Sequence, residues 1–333
     1  MEKKIMYVKF MISLSMCAAL FIGALHFTAP EAMGASNQVL TATKVKSAPT
    51  GLDDAGWNKA KAIAVPFEGK EVFAGKHTSV TTKAVYTKES IFFLYQWKDT
   101  AKSITKGAWQ FDGGKWIHQK GNEDRISMLF EIDRINNFAT KGCAIVCHVP
   151  DGATNAKDGK FGTSTAVEKG DLWHWKAARS DPAGFADDTW LTMISEKKGG
   201  RTKDNGSGGD KKNITKDKSK PKYMLAQGKS LTKDGVLLAS HATEITDYSG
   251  FKDGDTITYR MPKAPSGSFG DIKADSRYAN GEWTVMLSRK LDTKNPDDTA
   301  FNTKRKYNFA MALFDNSGDE DSYDSEVITL KFK

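Results

Sequence analysis

The sequence predicts an all-β protein built as an antiparallel β-sandwich, and three observations carry that expectation. Segments rich in Val, Ile, Phe, Tyr and Trp alternate apolar and polar side chains with a period of two, the pattern of a half-buried strand. Gly, Asp, Asn or Pro bounds each segment, as turns require. No long stretch repeats its apolar residues at helical spacing, and many strands with few helices favour a sandwich.

In chain order, "MEKKIMYVK" is basic, an apolar run extends from Phe10 to Phe27, and "TAPEAMGAS" offers small residues. This is the layout of a secretory signal peptide over residues 1–35, with cleavage expected near Ala32 to Ala35. An uncleaved anchor is the rival reading, because the run is just long enough to span a bilayer. Cleavage would leave residues 36–333 as a single domain in the periplasm or another extracytoplasmic compartment, with no stable membrane insertion. Within it, "HTSVTTKAVYTKESIFFLYQWKD" (77–99) predicts two strands joined at Lys88–Glu89. Further strands are expected at 124–133, 255–262, 281–291, 306–316 and 325–333. Residues 196–222, "EKKGGRTKDNGSGGDKKNITKDKSKPK", hold almost no apolar side chains. Too little surface can be buried there to offset the entropy of ordering, so a mobile polar loop is expected.

The formal net charge is +8, but lysines and acids are interspersed. With no basic stripe carrying interleaved aromatics, nucleic-acid binding is unsupported. The lysine excess suits solubility or docking to an acidic partner.

Cys17 falls inside the signal segment, so the mature chain keeps only Cys143 and Cys147, in "GCAIVCHV". Covalent haem attachment uses two thiols followed directly by a histidine, ordinarily as C-x-x-C-H. Here the spacing is C-x-x-x-C-H, with the Cys–His adjacency kept. Cys143 and Cys147 would form the thioethers and His148 would be the proximal iron ligand. A Cys143–Cys147 disulfide is the competing reading, although it would close a tiny loop and leave His148 unexplained. Zinc is disfavoured, since no second Cys or His pair stands nearby at ligand spacing.

An electron carrier usually has a second protein ligand on its haem iron. His174, in "DLWHWKAAR", is the first distal candidate, and Trp173 and Trp175 are candidate haem walls. Strand alternation sets both tryptophans on the face opposite His174. Met224 is the second distal candidate, as thioether ligands are common in electron carriers. His77, His118 and His241 lie among polar residues and are expected at the surface.

Taken together, several blocks resemble the ethylbenzene dehydrogenase-related haem-binding family. The family contains γ subunits of type II dimethyl sulfoxide reductase-family molybdoenzymes and c-type cytochrome relatives. The resemblance rests on "DDAGWNKAKAIAVPF" (53–67), "VTTKAVYTKESIFFLYQWKD", "GCAIVCH", "DLWHWKAARSDPAGFADD" (171–188), "GSFGDIKADSRYANGEWTVMLSRKL" (267–291) and "YNFAMALFDN" (307–316). It implies a sandwich holding haem between loops at one end, and electron transfer without catalysis. It also implies redox partner proteins that include molybdenum and iron–sulfur subunits. Non-covalent relatives bind haem through a Met and a Lys, and c-type relatives are expected to use a residue near the C-terminal loop opposite the His148 position. That loop here, "DNSGDEDSYDSE" (315–326), contains no His, Met or Lys. His174, Met224 or an open, five-coordinate iron therefore remain as alternatives, and a second, non-covalent haem b is compatible with the pattern.

No G-x-S-x-G, H-E-x-x-H or P-loop signature occurs, and the paired carboxylates Asp187–Asp188 sit in turn-like sequence. The sequence therefore reads as an exported c-type cytochrome with one covalent haem c. The alternative is a haem-free ligand- or carbohydrate-binding module with a Cys143–Cys147 disulfide, in which Trp109 and Trp116 would stack on sugars.

Overall fold

Period-two alternation organises the chain as expected. The computed structural model describes residues 38–148, 160–194, 199–318 and 322–333; the signal-peptide reading of residues 1–35 lies outside the described residues. Thirteen strands join one sheet. They are β1 (Gln38–Lys44), β2 (Ile63–Gly69), β3 (His77–Tyr86), β4 (Ser90–Lys98), β5 (Arg125–Asp133), β6 (Lys169–Lys176) and β7 (Asp187–Leu191). The remainder are β8 (Arg201–Lys203), β9 (Lys273–Ala279), β10 (Glu282–Lys290), β11 (Tyr307–Phe314), β12 (Tyr323–Ser325) and β13 (Ile328–Phe332). Their order is β8-β7-β6-β5-β11-β12-β2-β3-β4-β10-β9. β1 lies parallel to both β13 and β3, and β13 also pairs with β11. The ladders along the main path are antiparallel.

The sheet folds over its own apolar face. Ile126, Met128 and Phe130 of β5, Trp173 and Trp175 of β6, and Phe309 and Met311 of β11 pack with Phe93, Tyr95 and Trp97 of β4 and Val285 and Leu287 of β10. A Phe185–Lys273 bridge brings the two ends of the strand path together. Arg289 of β10 ties the same end from inside. Its guanidinium is fully buried, donates to both oxygens of Asp171 at 3.1 and 2.7 Å, and reaches Asp188 at 3.2 Å and Asp298 at 2.8 Å. It also lies 4.6 Å over the Trp173 ring.

Two expectations need correction. Residues 255–262 do not form one strand: Thr256–Thr258 pairs with Ala108–Asp112, whereas Arg260–Gly267 pairs with Gly206–Lys212. The chain changes ladder at Tyr259, and Pro262 and Pro265, which lack an N–H, suit the edge position of the second segment. Residues 196–222, expected to be a loop, instead contain β8 and the Gly206–Lys212 strand. Hydrogen bonds substitute for the missing apolar burial. Asn213 is fully buried; its amide donates to the carbonyls of Tyr223 and Thr258 at 2.8 and 3.2 Å and accepts from the Lys222 and Tyr223 N–H groups at 2.9 and 2.8 Å. At Gly206, φ is +134° and a Cβ would stand 1.9 Å from the Ser266 carbonyl oxygen, so only glycine allows the close pairing.

Removing one partner of a buried ion cluster leaves the others uncompensated. Arg289→Met is expected to cost about 3–5 kcal/mol, read as a lower urea midpoint. An unchanged midpoint would show that charge does not hold this end of the sandwich.

Candidate functional site

The cysteine segment enters through a one-turn helix, Phe138–Lys141, and a 3-10 turn, Gly142–Val146. It ends in the extended pair Cys147–His148, laddered to Lys160–Phe161. Gly142 allows the turn to approach the sheet: at φ +55° it would set a Cβ only 3.2 Å from that of Ala310 and 3.3 Å from Val327 Cγ2. Phe138 and Val146 are buried against Leu129, Leu172, Leu191 and Ala310, with Cys143, Ile145 and Phe161 packed alongside. The segment thus covers the outer face of β5, β6 and β11, opposite the main core.

Both cysteines are free thiols. Cys143 is half-buried, and burial, with Asp324 and Cys147 nearby, pushes its thiol well up. Cys147 is exposed at its outer edge yet loses enough water that its thiol is pushed up to about 11, with Asp324 adding to the effect. Both are therefore protonated at neutral pH in the metal-free chain. The His148 side chain lies outside the described residues.

His174 points to the same outer face. A row of facing residues crosses the sheet as Asp187, His174, Ser127, Ala312 and Asp324. At about 4.8 Å per strand, roughly 14 Å separates the His174 and Asp324 columns. Small side chains occupy the positions between them, and Ala310 lies on the same face of β11 beneath the cysteine turn. Ala310 and Ala312 alternate with the core residues Phe309, Met311 and Leu313 in "YNFAMALF", a signal available in the sequence that was passed over.

The ring of His174 is 4 % exposed and stacks on Phe314, with centroids 5.7 Å apart. Its Nδ1 lies 3.2 Å from the Arg201 guanidinium, while its Nε2 has no hydrogen-bond partner. Arginine only donates, so Nδ1 accepts and the neutral ring carries its proton on Nε2. A metal-binding imidazole has the reverse arrangement, donating its second N–H to an acceptor. Burial holds the His174 pKa well below the ordinary range, and Lys176, Arg201, Arg125 and Arg179 add to this. Lys176 itself, ion-paired with Asp187, is brought down to about 8 by burial. The sequence reading missed this cationic surround because its members come from three separate segments, around Arg125, Lys176–Arg179 and Arg201.

The other candidates are placed elsewhere. Trp173 and Trp175 are fully buried in the main core: Trp173 packs on Phe93 and Phe130, Trp175 on Trp97 and Trp283. They face away from His174 and the cysteine turn, so they do not wall a pocket shared with either. Met224 is exposed on a short hairpin, Tyr223–Leu225 with Ala242–Glu244, that stands apart from the main sheet. Asp187 and Asp188 are strand residues, not turn residues. Asp187 faces outward to Lys176 and Asp188 inward to Arg289. Trp109 and Trp116 are buried, and no large aromatic side chain is exposed among the described residues.

The family model described as ethylbenzene dehydrogenase matches residues 54–326. The chain belongs to this family. No curated protein matches the sequence. Among solved structures, this member of the ethylbenzene dehydrogenase family is similar to a carbohydrate-binding module of family 9 from Caldicellulosiruptor kristjanssonii in complex with glucose. Identity is 6%, with 89% of this chain and 96% of that chain covered and a TM-score of 0.35. It is also similar to a protein from Bacteroides uniformis described as carbohydrate-binding, with 8% identity, 90% and 100% covered and a TM-score of 0.38. No helix among the described residues is long and apolar enough to cross a membrane.

A buried histidine that refuses its proton loses stability relative to the unfolded chain as pH falls below the free-imidazole range, by up to about 1.4 kcal/mol per unit. His174→Leu is therefore expected to flatten the acid branch of the melting-temperature profile. Parallel profiles for the two proteins would show that His174 takes up its proton in the fold.

Proposed function

We propose that the chain is an exported c-type cytochrome that passes single electrons, working as the haem-carrying, γ-like subunit of a periplasmic molybdoenzyme or as a free carrier. The observation that carries this reading is the seating of the C-x-x-x-C-H segment, through Gly142, on the apolar outer face of the sheet. Family membership supports the subunit context and the absence of a catalytic role.

The residues present fit a covalent haem. Cys143 and Cys147 offer protonated thiols, each able to add its S–H across a vinyl group to form one thioether. His148, adjacent to Cys147, would supply the proximal nitrogen. When bound, haem supplies a one-electron iron couple. This chain's own part is to hold the macrocycle edge through two sulfurs, to pack apolar residues such as Ile145 and Phe161 beside it, and to limit water there. With the Arg201 guanidinium at Nδ1, His174 lacks the acceptor that orients an iron-bound imidazole, so the proposal leaves it off the iron. A molybdenum subunit and an iron–sulfur subunit are the proposed partners, and co-purification from the native source tests them.

Acid–acetone extraction of the exported protein is expected to leave haem colour on the polypeptide. The Cys143→Ala, Cys147→Ala double variant should lose it. A colourless wild-type chain would replace the cytochrome with the haem-free binding module, and extractable haem beside retained haem would reveal an additional haem b. His174→Ala is expected to leave the axial-ligand bands in place; their loss would return His174 to the iron.

A further inference from the structure

The sandwich end closed by Arg289 carries more negative charge than that arginine balances. Asp204 lies in the turn between β8 and the Gly206–Lys212 strand. It is 3 % exposed, and neither of its carboxylate oxygens has a hydrogen-bond partner. Facing it, on the loop after β10, are half-buried Asp297 and buried Asp298. One oxygen from each of the three lies within 4.8 Å of the others. That is the widest separation open to two oxygens bound to one ion at about 2.4 Å.

We infer that Asp204, Asp297 and Asp298 bind one calcium ion. Among the described residues Arg289 is the cation bonded into this group, and Asp171, Asp188 and Asp298 already share it. Asp204 and Asp297 add two carboxylates without adding a positive charge. Asp298 is already aimed: Oδ1 accepts from Arg289 at 2.8 Å, and Oδ2 accepts from Thr293 at 2.5 Å and Asn295 at 3.3 Å. Oxygen donors without His or Cys select a hard cation. An irregular set drawn from two distant segments suits calcium, which tolerates 6–8 ligands, better than magnesium, which demands near-octahedral geometry. Backbone carbonyls and water would complete the shell.

Melting curves of the full chain, stripped with a chelator and titrated with Ca²⁺, test the assignment. The wild type is expected to gain about 4 °C at a hundredfold excess over Kd. Asp297→Asn, a change on a half-buried loop, should abolish the gain without lowering the stripped melting temperature. Asp204→Asn should abolish it and melt at or above the stripped wild type. No gain in the wild type, or an equal gain in both variants, would overturn the site; an equal response to Mg²⁺ would overturn the choice of calcium.

Discussion

Arg289 is a cation held in the dry interior, and the position of the outer-face site depends on it. Desolvating a guanidinium is expensive and is offset only by well-aligned partners. Asp171 and Asp188 supply them from β6 and β7, Asp298 from the following loop. These contacts decide which face of β6 turns inward. Asp171 and Trp173 must look toward Arg289, so Leu172 and His174 must look out. A slip of one residue in β6 would exchange the two faces, burying His174 under the core and stranding Asp171 outside. The interior ion cluster thus sets the face on which Leu172 receives the cysteine turn.

The same alternation explains how adjacent residues acquire opposite duties. Asp187 neutralises Lys176 on the outer face, while Asp188, one residue later, neutralises Arg289 within. The outer face of β5–β8 gathers Arg125, Lys176 and Arg201 around His174, whereas the inner face gathers aspartates. The strand pair therefore separates charge across its thickness. Burial depresses the His174 pKa first, and the cations gathered on this face add to it.

Much of the sandwich was legible in the sequence because β3, β4, β5, β10, β11 and β13 alternate large apolar residues with polar ones. Strands held by other means were not. β8 and Gly206–Lys212 have no apolar face to read, and the order there comes from the buried amide of Asn213 and from glycines that let two backbones touch. The cysteine segment was legible as a local motif, since adjacency is a property of sequence. Its seat was not: Leu129, Leu172 and Ala310 come from three separate strands, and only pairing brings them under the cysteine turn. The proton on His174 was equally hidden, because it depends on Arg201, 27 residues along the chain.

β1 lies in parallel register with β13, Gln38 opposite Ile328, and carries that pairing on to β3. A strand near residue 40 must therefore wait for one near residue 330 before it can settle, and contacts of such separation form late. During synthesis the sheet remains open along this seam until the residues near 330 have emerged. Cys143 and Cys147 emerge long before that, so their turn can meet solvent while the chain is still extended. The seam acts as a timer, because the sheet cannot close before its last strand arrives.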